Sequence, residues 1–516
     1  MGSRIARAAF ILLGGFVASR LVGLLRDVVV YGRFGASDEL DVYFAAFRIP
    51  DLVFSLVAGG ALGSALVPVF AAYRADGPAG RVTRLASNVF NVVGAVAVLG
   101  AALGIVFAPA LVPFLGPGFS PEQQASLTLL VRILLLQPVL FGLGEVVTRY
   151  LNVYGHFAMP ALAPVVYNLC IIGAALWLTP ALGTVGLAAG VVLGALAYLL
   201  VQVPAARALG FRWGATIDPG ESGMRQIVLL MLPRLVSQGA VQLSFLLTTR
   251  LASFLPPGRF AALSLGWTLM MLPLGILAMS AANDAFPVLA EQAATGQQRA
   301  LAATVRRTLG SVLFLMVPSA VGLLLLGLPL VQTVFVRGEF GQESAVLTAT
   351  ALGLYALGLP GHGAIEVLAR AFFARQDTRT PVILGVCAMA LNVLLATLLV
   401  GPAGLVGIAL AMSVSASFEA LALFAVLAAR LPGLLTLELV ASVGRTTLAG
   451  VVMGLATLGA LALAGGALPP ALMLALGTAV AGVAYGGAAL ALRAPELIDL
   501  LGAVQRRRAP RVHSKE

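Results

Sequence analysis

The sequence predicts an all-α polytopic membrane protein of about fourteen transmembrane helices, arranged as two parallel six-helix lobes around a central cavity with two additional C-terminal helices. Three observations predict it. Hydrophobic residues make up 60% of the chain, charged residues only 10%, and mean hydropathy is +1.01, whereas a soluble domain carries roughly 25% charged residues. Apolar runs recur along the chain, each long enough for the helix of about 20 residues that crosses a ~30 Å hydrocarbon core. A segment of the first half also recurs in the second.

The apolar runs place helices at about 8–31, 41–73, 86–115, 125–153, 158–179, 183–209, 225–254, 260–292, 306–335, 345–374, 381–400, 404–430, 438–465 and 468–492. The first is too long, and its flank too charged, for a cleaved signal peptide, so it is expected to remain as a helix. Arg4 and Arg7, then Arg74, Arg81 and Arg84, Arg207 and Arg212, Arg299, Arg306 and Arg307, Arg375 and Arg379, and the tail at Arg506 to Arg508 all fall on one side of the membrane. The opposite loops carry little beyond Arg33, Arg259 and Arg337. The positive-inside rule therefore expects both termini in the cytoplasm, which requires an even number of spans.

The repeat organises these helices. GEVVTRYLNVYGHFAMP, from Gly144 to Pro160, aligns without a gap on IEVLARAFFARQDTRTP, from Ile365 to Pro381, at an offset of 221 residues. Six helices per copy is an even number, so the second copy enters the membrane in the same orientation, giving parallel repeats. The expected organisation is a six-helix lobe at 1–215, a second at 216–434, two additional helices at 435–495 and a basic cytoplasmic tail at 496–516.

Composition also excludes function classes. The net charge of +11 is scattered over short loops and a tail rather than gathered on one soluble face, which argues against nucleic acid. Cys170 and Cys387 lie within apolar runs and read as packing residues, and three histidines give no metal cluster. No cofactor is expected, and any coupling ion or coupling to membrane potential is left unassigned.

Two arginines, Arg20 and Arg26, lie inside the first helix, with Asp27 beside the second. A cation at a helix centre costs on the order of 2.5–3.5 kcal/mol, so it faces a polar cavity, a partner or an anionic ligand. An Arg–Asp strut or a snorkel to the helix end is the structural alternative. Pro50, Gly59, Gly60, Gly63 and Pro68 in the second helix, and Pro273 and Pro287 in the eighth, read as bending sites or as close helix packing. Glu145/Arg149 and Glu366/Arg370 are i,i+4 pairs at the cytoplasmic ends of the fourth and tenth helices, suited to a clamp or a gate.

SRLVGLLRDVVVYGRFGAS near the N-terminus, the DxxFxAFRIP form from Asp41 to Pro50, ALVPVF at Ala65 to Phe70, MPALAPVVYN at Met159 to Asn168 and ARQDTRTPV at Ala374 to Val382 resemble the MurJ (MviN) lipid II flippase family of the multidrug/oligosaccharidyl-lipid/polysaccharide exporter superfamily. The resemblance spans nearly the whole chain. It implies a flippase of the bacterial inner membrane that moves undecaprenyl-diphosphate-linked peptidoglycan precursor, lipid II, to the outer leaflet by alternating access. Membrane lipids and cell-wall synthesis proteins are the partners it implies.

Carried over residue by residue, the resemblance makes Arg20, Arg26, Asp41 and Arg48 substrate-binding residues. The family's second helix commonly reads R-R-I-F-A-E-G-A where this chain has FSLVAGGA at Phe54 to Ala61, and its eighth-helix arginine and glutamate are replaced by Thr268 and Met271. Arg234 and Arg250 on the seventh helix are candidate substitutes, and Glu419 is an isolated acid in the twelfth helix. Other readings are a flippase for another polyprenyl-diphosphate-linked glycan, a cation-coupled small-molecule exporter, which would need acids rather than arginines at its cavity centre, and a non-transporting partner in envelope assembly. An enzyme is disfavoured: no DxD-like cluster and no sizeable soluble loop is present.

Overall fold

A computed structural model of the chain describes residues 2–57, 61–76, 80–218, 220–465 and 468–497. The described residues form α-helices and one π-helical turn, with no strand among them. The chain divides into two compact units, one of Met1–Ala261 with Arg337–Gly341, the other of Ala262–Val336 with Gln342–Glu516.

The first unit contains α1 (Gly2–Phe34), α2 (Asp38–Ala46), α3 (Arg48–Val57), α4 (Ala61–Asp76), α5 (Arg81–Leu115), α6 (Pro121–Leu134), α7 (Leu136–Val153), α8 (Ala158–Trp177), α9 (Thr179–Leu200), α10 (Val203–Ala208) and α11 (Ser222–Ala252). Its core joins Leu62, Leu66 and Phe70 of α4 to Leu85 and Val89 of α5, Val146 and Tyr150 of α7, and Ile227 of α11. The seventh apolar run, assigned by the sequence to the second lobe, thus packs as α11 with the first unit, against α3, α4 and α5. On the other face of α5, Val98, Leu99, Val106 and Phe107 are exposed, as expected of a surface that meets lipid. Every backbone group in hydrocarbon must be satisfied internally, which only a helix or a closed barrel achieves.

α12 (Arg259–Pro273) starts in the first unit and continues into the second, followed by a π-helical turn at Leu274–Ala278 and α13 (Met279–Ala294). The π turn follows Pro273, whose missing N–H frees a carbonyl on the preceding turn. The second expected helix is likewise broken: α2 and α3 are separated at Phe47, while Gly59 and Gly60 lie outside the described residues. Pro273 thus marks the change from α-helix to a π turn, and Pro50 lies one turn after the break at Phe47.

The second unit continues with α14 (Gln298–Phe335), α15 (Gln342–Leu357), α16 (Leu359–Ala374), α17 (Arg379–Ala403), α18 (Leu405–Arg430), α19 (Leu437–Ala464) and α20 (Pro470–Ala491). The last two helices dock on α14, where Met453, Ala481, Tyr485 and Ala489 surround Phe314 and the Tyr485 hydroxyl donates to the Phe314 carbonyl at 2.6 Å. Ten helices among the described residues are long and apolar enough to cross a membrane, or eleven if α15 and α16, bent by 43°, form one span. α1, the pieces α2 to α4, and α11 fall outside that set, so length and apolarity do not by themselves reproduce the expected fourteen. Of the orienting arginines, the side chains of Arg4 and Arg7 and the tail from residue 498 lie outside the described residues.

The sequence repeat is preserved in backbone geometry. α7 ends with Gly155 in the left-handed region at φ +76°, and α16 ends with Gln376, at the corresponding repeat position, at φ +60°. Both turns close with the same hydrogen bond, His156 N–H to Leu151 carbonyl at 2.9 Å and Asp377 N–H to Phe372 carbonyl at 3.0 Å. This is the helix-ending motif that satisfies orphan carbonyls. Farther on, Gly183 (φ 54°, ψ −138°) and Gly404 (φ 55°, ψ −129°) make the same sharp turn one copy apart.

Candidate functional site

The charged residues of α1 differ in their surroundings. Arg20 is exposed, its guanidinium lies 5.2 Å from the ring centre of Phe16, and it has no hydrogen bond or ion pair among the described residues. Arg26 is held tightly: Nε and Nη2 donate to Asp27 Oδ1 at 3.0 and 2.7 Å, and Nη1 donates to Asn168 Oδ1 at 3.0 Å. Asn168 is itself oriented, its Nδ2 donating to the Pro164 carbonyl at 2.9 Å. Small residues bring these groups together, because α1 meets α8 at Gly15, where a Cβ would overlap Ala161, and Gly23 stands beside Asn168. Arg26 is therefore the strut that the sequence offered as the structural alternative. Of the five N–H donors of a guanidinium, three are used here, and the fork stays fixed for a further acceptor.

Arg48 donates from Nε to Thr249 Oγ1 at 2.8 Å and lies 5.1 Å from the ring of Phe245 and 5.6 Å from that of Phe260. It joins α3 to α11 and to the start of α12 by a cation–π contact on each side. Asp41 serves another purpose. It is 4% exposed, and its carboxylate accepts the backbone N–H of Gly258 at 2.7 Å and of Ala261 at 2.6 Å. A carboxylate at a helix N-terminus satisfies orphan donors and complements the dipole, so Asp41 fixes the start of α12. Both of its oxygens accept a hydrogen bond.

Of the candidate substitutes, Arg250 sits in the last turn of α11, donating from Nη1 to the Phe114 carbonyl at 2.7 Å with its guanidinium 4.8 Å from the Phe114 ring. That is a helix-end anchor. The side chain of Arg234 lies outside the described residues. In the second unit, Thr268 is exposed with its hydroxyl donated to the Ser264 carbonyl at 2.9 Å, and Met271 is half-buried, so neither restores charge. Glu419 is half-buried on α18 beside Gly385, and the described residues contain no cluster of metal ligands.

Each glutamate–arginine pair closes as its spacing predicts, Arg149 Nη2 to Glu145 Oε2 at 2.5 Å and Arg370 Nη1 to Glu366 Oε2 at 2.5 Å. Glu145 also accepts the Tyr198 hydroxyl at 2.8 Å, while Arg370 donates from Nε and Nη2 to Asn283 Oδ1 at 3.1 and 2.9 Å. Asn168, Thr249, Tyr198 and Asn283, which complete these contacts, were not singled out as candidate site residues in the sequence. Their signal is a hydrogen-bonding side chain in an apolar helix, where an unpaired polar group is costly.

Residues 32–477 match the family described as "Lipid II flippase MurJ". The chain belongs to the lipid II flippase MurJ family. It is 32% identical over 473 residues to the probable lipid II flippase MurJ of Vibrio cholerae serotype O1, covering 88% of each chain. It is 29% identical over 427 residues to the lipid II flippase MurJ of Burkholderia cenocepacia, covering 81% of this chain and 83% of that one. Among solved structures, a lipid II flippase MurJ in an inward closed conformation aligns at a TM-score of 0.78 with 22% identity, covering 95% of this chain and 100% of the other. An inward-facing multidrug resistance MATE family transporter of the MOP superfamily aligns at 0.68 with 17% identity, covering 80% and 95%. Family and fold together make this a multi-pass membrane transporter rather than an enzyme.

Proposed function

We propose that this chain carries lipid II from the cytoplasmic to the outer leaflet of the bacterial inner membrane by alternating access, with both termini cytoplasmic. The observation that carries the proposal is Arg20, an exposed guanidinium on α1 with no counter-ion among the described residues. Asp27 neutralises Arg26 locally, so α1 carries an uncompensated cation at Arg20 six residues before a second, oriented fork at Arg26. A diphosphate needs such groups. Its oxygens accept short, charge-assisted bonds from a planar donor set that no physiological pH deprotonates. The polyprenyl tail requires no shelter, since it stays in hydrocarbon. In this reading Arg20 and Arg26 bind the diphosphate, Arg48 binds beside Thr249, and Asp41 positions α12. The glutamate–arginine pairs hold the cytoplasmic ends of α7 and α16. The relatives' names, and the Arg20/Arg26 pair on α1 where cation-coupled export would need acids, favour lipid II over a small cationic cargo.

The test is complementation of a bacterium depleted of its own lipid II flippase, joined to a lipid II transport assay in proteoliposomes. The native chain is expected to restore growth and transport. Arg20→Ala is expected to abolish both while the protein accumulates in the membrane at the native amount, because its removal leaves no hydrogen-bond or ion-pair partner among the described residues unpaired. Transport retained by Arg20→Ala would overturn the assignment of the headgroup to α1.

A further inference from the structure

Between α10 and α11, residues 211–218 lie in no helix or strand and are bound along one face of α5. Thr83 donates to the Gly210 carbonyl at 3.3 Å, Ser87 donates to the Gly214 carbonyl at 2.9 Å, and the Gly214 N–H returns a bond to Ser87 at 2.8 Å. Asn91 binds the carbonyls of Gly214 and Thr216 at 2.6 and 2.8 Å and accepts the Trp213 indole N–H at 2.8 Å. Successive turns of α5 thus fix the backbone that presents Arg212 and Trp213.

This strap borders a cavity of about 790 Å³ with an apolar floor that includes Phe90, Val147 and Leu199, and with Arg207, Arg212 and Trp213 among its lining. A second cavity, of about 380 Å³, adjoins it across Phe90 and Trp213 and is lined by Gly94, Leu143 and Ile217. Arg207 and Arg212 are exposed, and neither guanidinium has a hydrogen bond, ion pair or ring contact among the described residues. The positive-inside rule puts them on the cytoplasmic side, where anionic lipids attract basic groups and Trp marks the interface.

We propose that these two cavities form a binding site for an anionic glycerophospholipid of the cytoplasmic leaflet, separate from the arginines of α1. The phosphate bridges Arg207 and Arg212, and an acyl chain lies past Trp213 in the apolar cavity. Guanidinium groups bind phosphate oxygens through paired, charge-assisted hydrogen bonds, while the floor and the second cavity suit a chain and not a soluble anion.

The experiment uses the full chain carrying Trp177→Phe and Trp267→Phe, leaving Trp213 as the sole tryptophan, in phosphatidylcholine nanodiscs doped with lipid brominated on its acyl chains. Brominated phosphatidylglycerol is expected to quench Trp213 at a roughly tenfold lower mole fraction than brominated phosphatidylcholine. Arg207→Gln with Arg212→Gln is expected to erase the difference, and Arg207→Lys with Arg212→Lys, which keeps the charge, to retain most of it. Equal quenching by both lipids in the parent protein would overturn the proposal, as would a preference surviving the double glutamine change. Displacement of phosphatidylglycerol by millimolar inorganic phosphate would overturn the lipid and assign the site to a soluble phosphate. A double glutamine variant that fails to give a monodisperse protein is replaced by each single change, expected to weaken the preference roughly fivefold.

Discussion

A Cβ on Gly63 would lie 2.8 Å from Cζ of Arg149, so α4 opens a slot in which the guanidinium rests while bonded to Glu145. Asn283 on α13 stands 220 residues later and meets Arg370 of the second copy, there as a hydrogen-bond acceptor. Each unit thus pins a feature shared by the two repeats, the arginine one turn after a glutamate, against the neighbouring helix by a different device.

Gly63→Val is expected to expel the Arg149 guanidinium and separate it from Glu145. Because the obstructing atoms are the far end of a flexible side chain, the stability cost should stay at about 1–3 kcal/mol. A double-mutant cycle of transport with Arg149→Ala checks the mechanism: if the slot acts through Arg149, the combined variant should be no worse than Arg149→Ala alone. Fully additive losses would rule it out.

Arg26→Ala is expected to behave unlike Arg20→Ala. It leaves the buried Asp27 and the oriented Asn168 without their partner, and breaking such a pair costs up to about 3 kcal/mol. Thermal unfolding in detergent should show a lowered transition that Arg26→Ala with Asp27→Ala largely recovers. Transport should stay lost in both. An unchanged melting temperature for Arg26→Ala would contradict the strut.

Asp41→Asn is expected to destabilise the first unit by about 1–3 kcal/mol, since an amide offers one accepting oxygen where the carboxylate now accepts the Gly258 and Ala261 N–H groups on different oxygens. Gly258→Ala should cost more. Gly258 is at φ +81°, and a Cβ there would strike the Ala36 carbonyl. Hydrogen exchange at the start of α12 reads both, and faster exchange confined to other segments would refute the capping role.

Asp377, in the loop before α17, gives a pH prediction. Bonds from the Thr380 hydroxyl at 2.6 Å and N–H at 3.0 Å, with Arg430 at 2.7 Å, hold its carboxyl below the usual carboxylate range. The folded value lies below the unfolded one, so this contribution is complete above the unfolded value, near pH 4, and is lost as pH falls through the folded one. Asp377→Asn should therefore lower the melting temperature at pH 7 and make progressively less difference in acid. A deficit independent of pH would exclude this carboxylate as its source.

Much of the fold was legible because lipid imposes one rule on every span. Runs of apolar residues mark the helices, and their ends fall near those expected for α5, α8, α17, α18, α19 and α20. The repeat was legible too: the aligned YGH and RQD segments make the same turn, and the second tolerates Gln376 at a left-handed φ where the first has Gly155.

The sequence by itself determined the membrane class, the repeat, the glutamate–arginine spacing and the family resemblance, because these are carried by composition and by neighbours along a helix. Only the tertiary structure decided which charge is free. Arg20 and Arg26 are six residues apart with the same chemistry, yet Arg26 meets Asn168 across the contact of α1 with α8, and among the described residues the guanidinium of Arg20 meets the ring of Phe16 alone. The resemblance makes Asp41 substrate-binding, and only the fold shows that Gly258 and Ala261 are brought to it from more than two hundred residues away. Arg250 is spent on the Phe114 carbonyl, and α11 joins the first unit. The partner of a buried charge comes from a distant helix, and helix packing, unlike helix formation, depends on side-chain shapes that no local pattern encodes.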